Sequence, residues 1–245
     1  MTAVLVAVAH GSRDPRSAAT VAELVERVRK LRPELDVRLA FLDLSAPRLD
    51  GVLAGAGTAV VVPLLLGRAF HARVDVPGAM ADAVASRPRL DVTMTDVLGP
   101  DPRLERAAVR RLAAAGVAAD DPDTGVVLAA AGSSYTPANA AVTDVARRWS
   151  HTTAWAGVVP AFASAAEPTV PQAIARLRAD GASRIAVASW FLAPGLLPDK
   201  VARQAREVTP AAVLADPLGA DAGIAALIAD RYDSALAAPA ALVSA

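Results

Sequence analysis

No cysteine occurs among the 245 residues, so disulfides, thiolate nucleophiles and sulfur metal ligands are all excluded. Lysine is nearly absent as well. Lys30 and Lys200 are the only two, and arginine supplies the remainder of the 25 positive charges. The planar arginine fork also suits carboxylate recognition. These charges are balanced by 25 acidic residues, which leaves no electrostatic footprint for nucleic acid. No apolar stretch reaches the roughly 18–20 uninterrupted residues that a membrane helix requires. Met1-Thr2-Ala3 leads straight into a strand-like run, without the basic region and cleavage site of a secretory signal. The expectation is a soluble cytoplasmic protein with neither a nucleic-acid nor a membrane partner. Histidine is scarce too: His10, His71 and His151 are the full set.

Hydrophobic residues make up 54% of the chain and charged residues 20%, a globular composition with ample length for buried cores. Short β-branched runs alternate with amphipathic stretches. Val4–Val8, Val37–Leu42, Ala59–Leu65 and Val92–Val97 read as strands. Helices are expected over Ser17–Leu31, Arg48–Ala54, Val74–Ala85 and Arg103–Ala114. In the first of these, Val21, Leu24, Val25, Val28 and Leu31 share one face and read as core. Strands that are apolar throughout, separated by helices, predict a mostly parallel sheet covered on both sides.

The pattern then begins again. After the turn-rich linker 118–125, Val126 to Ser134 echoes Leu5 to Arg13 at an offset of 121 residues. The same offset takes Gly11 to Gly132, Phe41 to Phe162 and Pro47 to Pro168. Pro63-Leu64-Leu65-Leu66 aligns with Ser189-Trp190-Phe191-Leu192, five residues further on. The fold class expected is therefore α/β, as two homologous domains over residues 1–118 and 125–236 that arose by internal duplication.

His10 directly follows the first strand, Asp43 the second, and His71 lies in the connection after the third. Open parallel sheets bind ligands beyond the carboxyl ends of their strands. Two imidazoles and a carboxylate suit a borderline divalent metal, and imidazole also accepts protons near neutrality. The second copy holds Ala131, Ser164 and Leu197 at these three places. One competent half and one degenerate half is the simplest account. Taken singly, Asp43 could cap a turn, and Asp75 could favour a helix N-terminus or orient His71. His151 reads as a loop hydrogen-bonder rather than a ligand.

His10-Gly11-Ser12-Arg13-Asp14-Pro15 resembles the opening signature of the class II tetrapyrrole chelatases that act on sirohydrochlorin. The likeness continues through Ala40-Phe41-Leu42-Asp43 to Pro47, Pro63 to Gly67, and His71 to Asp75-Val76-Pro77. Trp190 to Leu197 resembles the degenerate half of the fused two-domain form, so the likeness spans the chain. It implies that His10 and His71 hold the incoming metal and receive pyrrole protons. Asp43 stands where many relatives carry glutamate, keeping the charge but shortening the reach. The implied substrates are a tetrapyrrole, seated in a cleft between the domains, and a divalent metal. Iron for sirohaem is favoured over cobalt for cobalamin.

No permanently bound cofactor is implied, and no phosphate loop of the Walker type is present. The macrocycle's carboxylates call for donors at the rim. The nearest in sequence are Arg13, Arg68 and Arg73, with backbone N–H groups at Gly11-Ser12 and Gly132-Ser133-Ser134. Because one chain supplies both halves, a monomer or weak homodimer is expected. A histidine phosphatase would carry arginine directly before its catalytic histidine, where this chain has Ala9. A non-enzymatic metal or tetrapyrrole carrier and a chelatase for another porphyrin are the alternatives.

Overall fold

The computed structural model describes residues 3–68, 75–87 and 89–237. In the first copy the strands are β1 (Val4–Ala9), β2 (Val37–Phe41), β3 (Thr58–Pro63) and β4 (Asp91–Met94). They form one parallel sheet in the order β2-β1-β3-β4. Every residue of β1 is buried, because it is central in the sheet and covered on both faces. Its even-numbered side chains Val4, Val6 and Val8 join Ala59 and Val61 against α2 (Leu49–Ala54) and α3 (Val76–Ala85).

Helix α1 spans Pro15–Leu31 and starts where the Asp14 carboxylate accepts the Arg16 N–H at 3.0 Å. Val21, Leu24, Val25 and Val28 are buried as the periodicity predicts, but Leu31 is 50% exposed. The expectation for Leu31 is corrected: it occupies the last helical position, where the apolar stripe ends, and it has left the core.

The second copy repeats the architecture with β5 (Thr124–Ala130), β6 (Gly157–Phe162), β7 (Arg184–Ser189) and β8 (Val213–Leu214), in the order β6-β5-β7-β8. The helices α5 (Thr136–Thr152), α6 (Val170–Ala179) and α7 (Leu196–Val208) intervene. The registers coincide pair for pair. Val8 lies opposite Pro63 and Ala129 opposite Ser189, as the two sequence offsets require. The connections coincide as well. The Asp43 N–H donates to the His10 carbonyl at 2.9 Å, and the Ser164 N–H donates to the Ala131 carbonyl at 2.9 Å.

Packing divides the chain differently from the sequence repeat. The compact units are residues 1–99 with 220–245, and residues 100–219. Helix α4 (Pro102–Ala114), which follows the first copy's strands, packs against β7 of the second sheet. Helix α8 (Ala222–Ala237) follows the second copy's strands and packs against α1 and β3 of the first. Equivalent bonds anchor both. Arg111 of α4 donates to the Leu218 carbonyl at 3.1–3.2 Å, and Arg231 of α8 donates to that of Leu98 at 3.3 Å. The buried Tyr232 hydroxyl donates to the Ala3 carbonyl at 2.6 Å, which fastens α8 to the start of β1. Among the described residues, no helix is long and apolar enough to cross a membrane.

Candidate functional site

Strand order in the first unit creates the place for a site. The connection from β1 leads to β2 on one side of it, while β3 and β4 lie on the other. The carboxyl ends of β1 and β3 therefore flank the point where the strand order reverses, which is where open parallel sheets take ligands. His10 follows β1 directly and is partly buried. The next residue, Gly11, has φ +97°, and a Cβ there would stand 1.7 Å from the Asp43 carbonyl oxygen. That close approach, which only glycine allows, draws the β1 and β2 ends together and sets Asp43 beside His10.

Asp43 is exposed, and its carboxylate bonds to Arg48 Nη1 at 2.7 Å. The Leu44 N–H and the Arg48 side chain hold its pKa below the ordinary carboxylate range, with a smaller contribution from His10. The sign follows: Asp43 stays ionised through neutral and mildly acidic pH, and its pairing is lost only as pH falls through that lowered value. His71 and Arg73 lie outside the described residues. Among the described residues there is no cluster of three His, Asp or Glu side chains able to hold a metal. His10 and Asp43 are the two members of the expected triad that can be placed, and they sit together.

The expected carboxylate-binding groups are deployed unevenly. Arg13 is exposed on the loop after β1. Arg68 makes a two-pronged pair with Asp96, one arm being Nε to Oδ1 at 2.9 Å. That pairing holds the Asp96 carboxyl below its ordinary range against partial burial. The Ser12 N–H is already donated to Ser45 Oγ at 3.2 Å, and the Ser133 N–H to Asn139 Oδ1 at 3.0 Å. Each loop thus spends internally one of the backbone donors expected to face a ligand. Asp75 occupies the N-cap position of α3 without a side-chain capping bond. The loop expected at His151 is corrected: it is exposed in the last turn of α5, a helix that runs on to Thr152.

Sequence reading missed Arg48 and Asp96. Each is one charged residue among many in the chain and gains meaning only through its partner across a loop. Arg48 is the N-cap residue of α2, and the loop before it folds back so that the Pro47 carbonyl accepts the Phe41 N–H at 2.9 Å.

The second copy keeps the scaffold without the imidazole and the carboxylate. Gly132 has φ +83°, and a Cβ there would approach the Ser164 carbonyl oxygen to 1.9 Å, just as at Gly11. Ala131 replaces His10, and Ser164 turns its hydroxyl onto the Ala131 carbonyl at 2.9 Å.

Comparison with known proteins agrees with this duplicated layout. The CbiX family model matches twice, over residues 4–115 and 125–235. A sirohydrochlorin ferrochelatase of Priestia megaterium is 26% identical over 96% of this chain and 91% of its own length. The sirohydrochlorin ferrochelatase of Bacillus subtilis (strain 168) is 25% identical over 85% of this chain and 81% of its own. A sirohydrochlorin cobaltochelatase of Priestia megaterium is 25% identical over 78% of this chain and 64% of its own. Among solved structures, SirB from Bacillus subtilis with Fe3+ superposes with a TM-score of 0.80 at 23% identity, covering 97% of this chain and 96% of that one. With a scaffold matched in both halves and a polar pair kept in one of them, the chain belongs to the CbiX family as two consecutive copies in a single polypeptide.

Proposed function

We propose that this protein is a sirohydrochlorin chelatase, inserting a divalent metal into the macrocycle without nucleotide. One observation carries the reading. In two copies that match in sheet order, register and loop hydrogen bonding, only the first retains an imidazole and a carboxylate at the carboxyl ends of its first two strands. Family membership over both copies and relatives that bear chelatase names support it.

Insertion requires that the ion shed water and that two pyrrole N–H protons leave. His10 and Asp43, with His71 as the proposed third ligand, would grip the ion without filling its coordination sphere. The same imidazoles, when neutral, would receive the pyrrole protons. Arg13, Arg68, Arg73 and the hydroxyl of Ser12 are proposed to meet the macrocycle's carboxylates, with Arg68 exchanging Asp96 for one of them. Fe2+ is favoured over Co2+, since the two ferrochelatase relatives are matched over more of their length than the cobaltochelatase. A monomer suffices, because both copies occur in one chain.

The test is anaerobic sirohydrochlorin with Fe2+ or Co2+ and the purified protein, followed by the macrocycle's absorption. Turnover above the spontaneous rate is expected with at least one metal. Stoichiometric binding without rate enhancement would make the protein a carrier.

Arg48 gives a finer check on Asp43. An arriving metal must displace its guanidinium, and an exposed pair of this kind is a weak competitor. Arg48→Ala is therefore expected to tighten Co2+ binding by roughly two- to fivefold in calorimetric titration. Unchanged or weaker binding would remove Asp43 from the ligand set.

A further inference from the structure

The two copies fasten the loop after their first strand through the same backbone groups but with different side chains. In the first copy the Ser12 N–H donates to Ser45 Oγ at 3.2 Å, and the Ser45 hydroxyl donates back to the Ser12 carbonyl at 3.1 Å. In the second, the Ser133 N–H donates to Asn139 Oδ1 at 3.0 Å, and the Ser133 carbonyl accepts from Asn139 Nδ2 at 2.7 Å. The offset that maps α1 onto α5 takes Ala18 to Asn139 and Ser45 to Ala166. Neither alanine side chain can make these bonds. The fastening residue therefore stands on the loop after the second strand in one copy and on the helix in the other. The Ser12 and Ser133 hydroxyls accept the Asp14 and Tyr135 N–H groups at 3.1 and 3.0 Å, so the two loops turn alike and differ in what clasps them.

Ser45 belongs to the loop that carries Asp43, and the loop it grips begins with His10. In the second copy a side chain ties the two loops from a different place: Ser164, the counterpart of Asp43, donates its hydroxyl to the Ala131 carbonyl at 2.9 Å. With the tie two residues further on, at Ser45, position 43 is free to hold an exposed carboxylate while the loops stay joined. Each tie adjoins a residue in the left-handed region, Leu44 at φ 60° and Ala165 at φ 55°. L side chains adopt that conformation rarely, and it persists only where the surroundings enforce it.

We propose that Ser45 is a positioning residue for metal capture: its two bonds to Ser12 hold the His10 loop against the Asp43 loop, so that imidazole and carboxylate meet one ion together. Its hydroxyl spends its only proton on the Ser12 carbonyl, so it acts through the two loops and not as a ligand. This rests on the ligand set of the chelatase reading above.

The test separates positioning from folding. Ser45→Ala removes the clasp, Ser45→Thr keeps the hydroxyl, and Ser45→Ala combined with Ala18→Asn supplies the fastening that the second copy uses. Co2+ binding is titrated calorimetrically and the unfolding midpoint measured for each protein. Ser45→Ala is expected to raise the Kd for Co2+ by about tenfold, as for loss of a side chain that orients metal ligands, and to lower the midpoint. Ser45→Thr should keep wild-type affinity. The double variant should recover the midpoint while its Co2+ binding stays weak, because the new amide reaches Ser12 from the helix and leaves the Asp43 loop untied. Wild-type affinity in Ser45→Ala would overturn the proposal, as would a double variant that regains affinity together with stability. A wild-type protein that binds Co2+ but inserts none would overturn the chelatase reading, while the same order of affinities among the variants would still uphold the role of Ser45. A wild-type protein that binds no Co2+ would overturn both.

Discussion

His10→Ala is expected to lower the rate of metal insertion by a factor of about 100 or more, the range for loss of a general base that is also a ligand. The unfolding midpoint should hardly move, because His10 projects from the end of β1 and lies only partly buried at the sheet edge. The assay follows sirohydrochlorin absorption under anaerobic conditions with saturating Fe2+ or Co2+. His71→Ala run in parallel should show a loss of the same order, since the two imidazoles are proposed to share the ion. His151→Ala, in the exposed last turn of α5, serves as the control and should behave as wild type. Full activity in His10→Ala would place the chemistry elsewhere in the molecule.

Gly11→Ala is expected to cost about 3 kcal/mol of stability or more, measured by urea denaturation, and to abolish insertion. Two penalties combine. An L side chain at φ +97° costs roughly 1–2 kcal/mol by itself, and the new methyl would meet the Asp43 carbonyl oxygen at 1.7 Å. Relief requires the β1 and β2 ends to separate, which also parts His10 from Asp43. Gly132→Ala should destabilise comparably, with its Cβ 1.9 Å from the Ser164 carbonyl oxygen. Gly51→Ala within α2 is the contrasting case: nothing lies within 4 Å of its Cβ, and helix propensity favours alanine by roughly 0.5–1 kcal/mol. A neutral Gly11→Ala would mean that the loop bends freely and does not hold the site.

Much of this was legible from spacing. The alternation of β-branched runs with amphipathic stretches located the four strands and four helices of the first copy, because burial on both faces demands apolar residues at every strand position. The 121-residue echo revealed the duplication, and the absence of counterparts to His10, Asp43 and His71 in the second copy is what points to the first copy as the half proposed to carry the chemistry. Leu31 shows where periodicity fails: spacing reports the helix face but not where the sheet beneath it ends. Arg48 and Asp96 were invisible for another reason, since an ion pair is a property of two loops brought together, and neither charge is distinctive alone. Ser12 was read as offering its N–H to a ligand, but Ser45, 33 residues away, already accepts it.

The sequence by itself determined the class of fold, its repetition, and the edge on which His10 and Asp43 stand, since all three depend on local periodicity and on the order of elements. Only the tertiary structure decided which sheet each copy's last helix completes. Leu104, Ala107, Ala108 and Leu112 of α4 correspond to Ile224, Leu227, Ile228 and Tyr232 of α8, and all eight are buried. An apolar helix face records that it must be covered, but either sheet could cover it. Packing assigns α4 to the second sheet and α8 to the first, where Arg111 and Arg231 reach the Leu218 and Leu98 carbonyls.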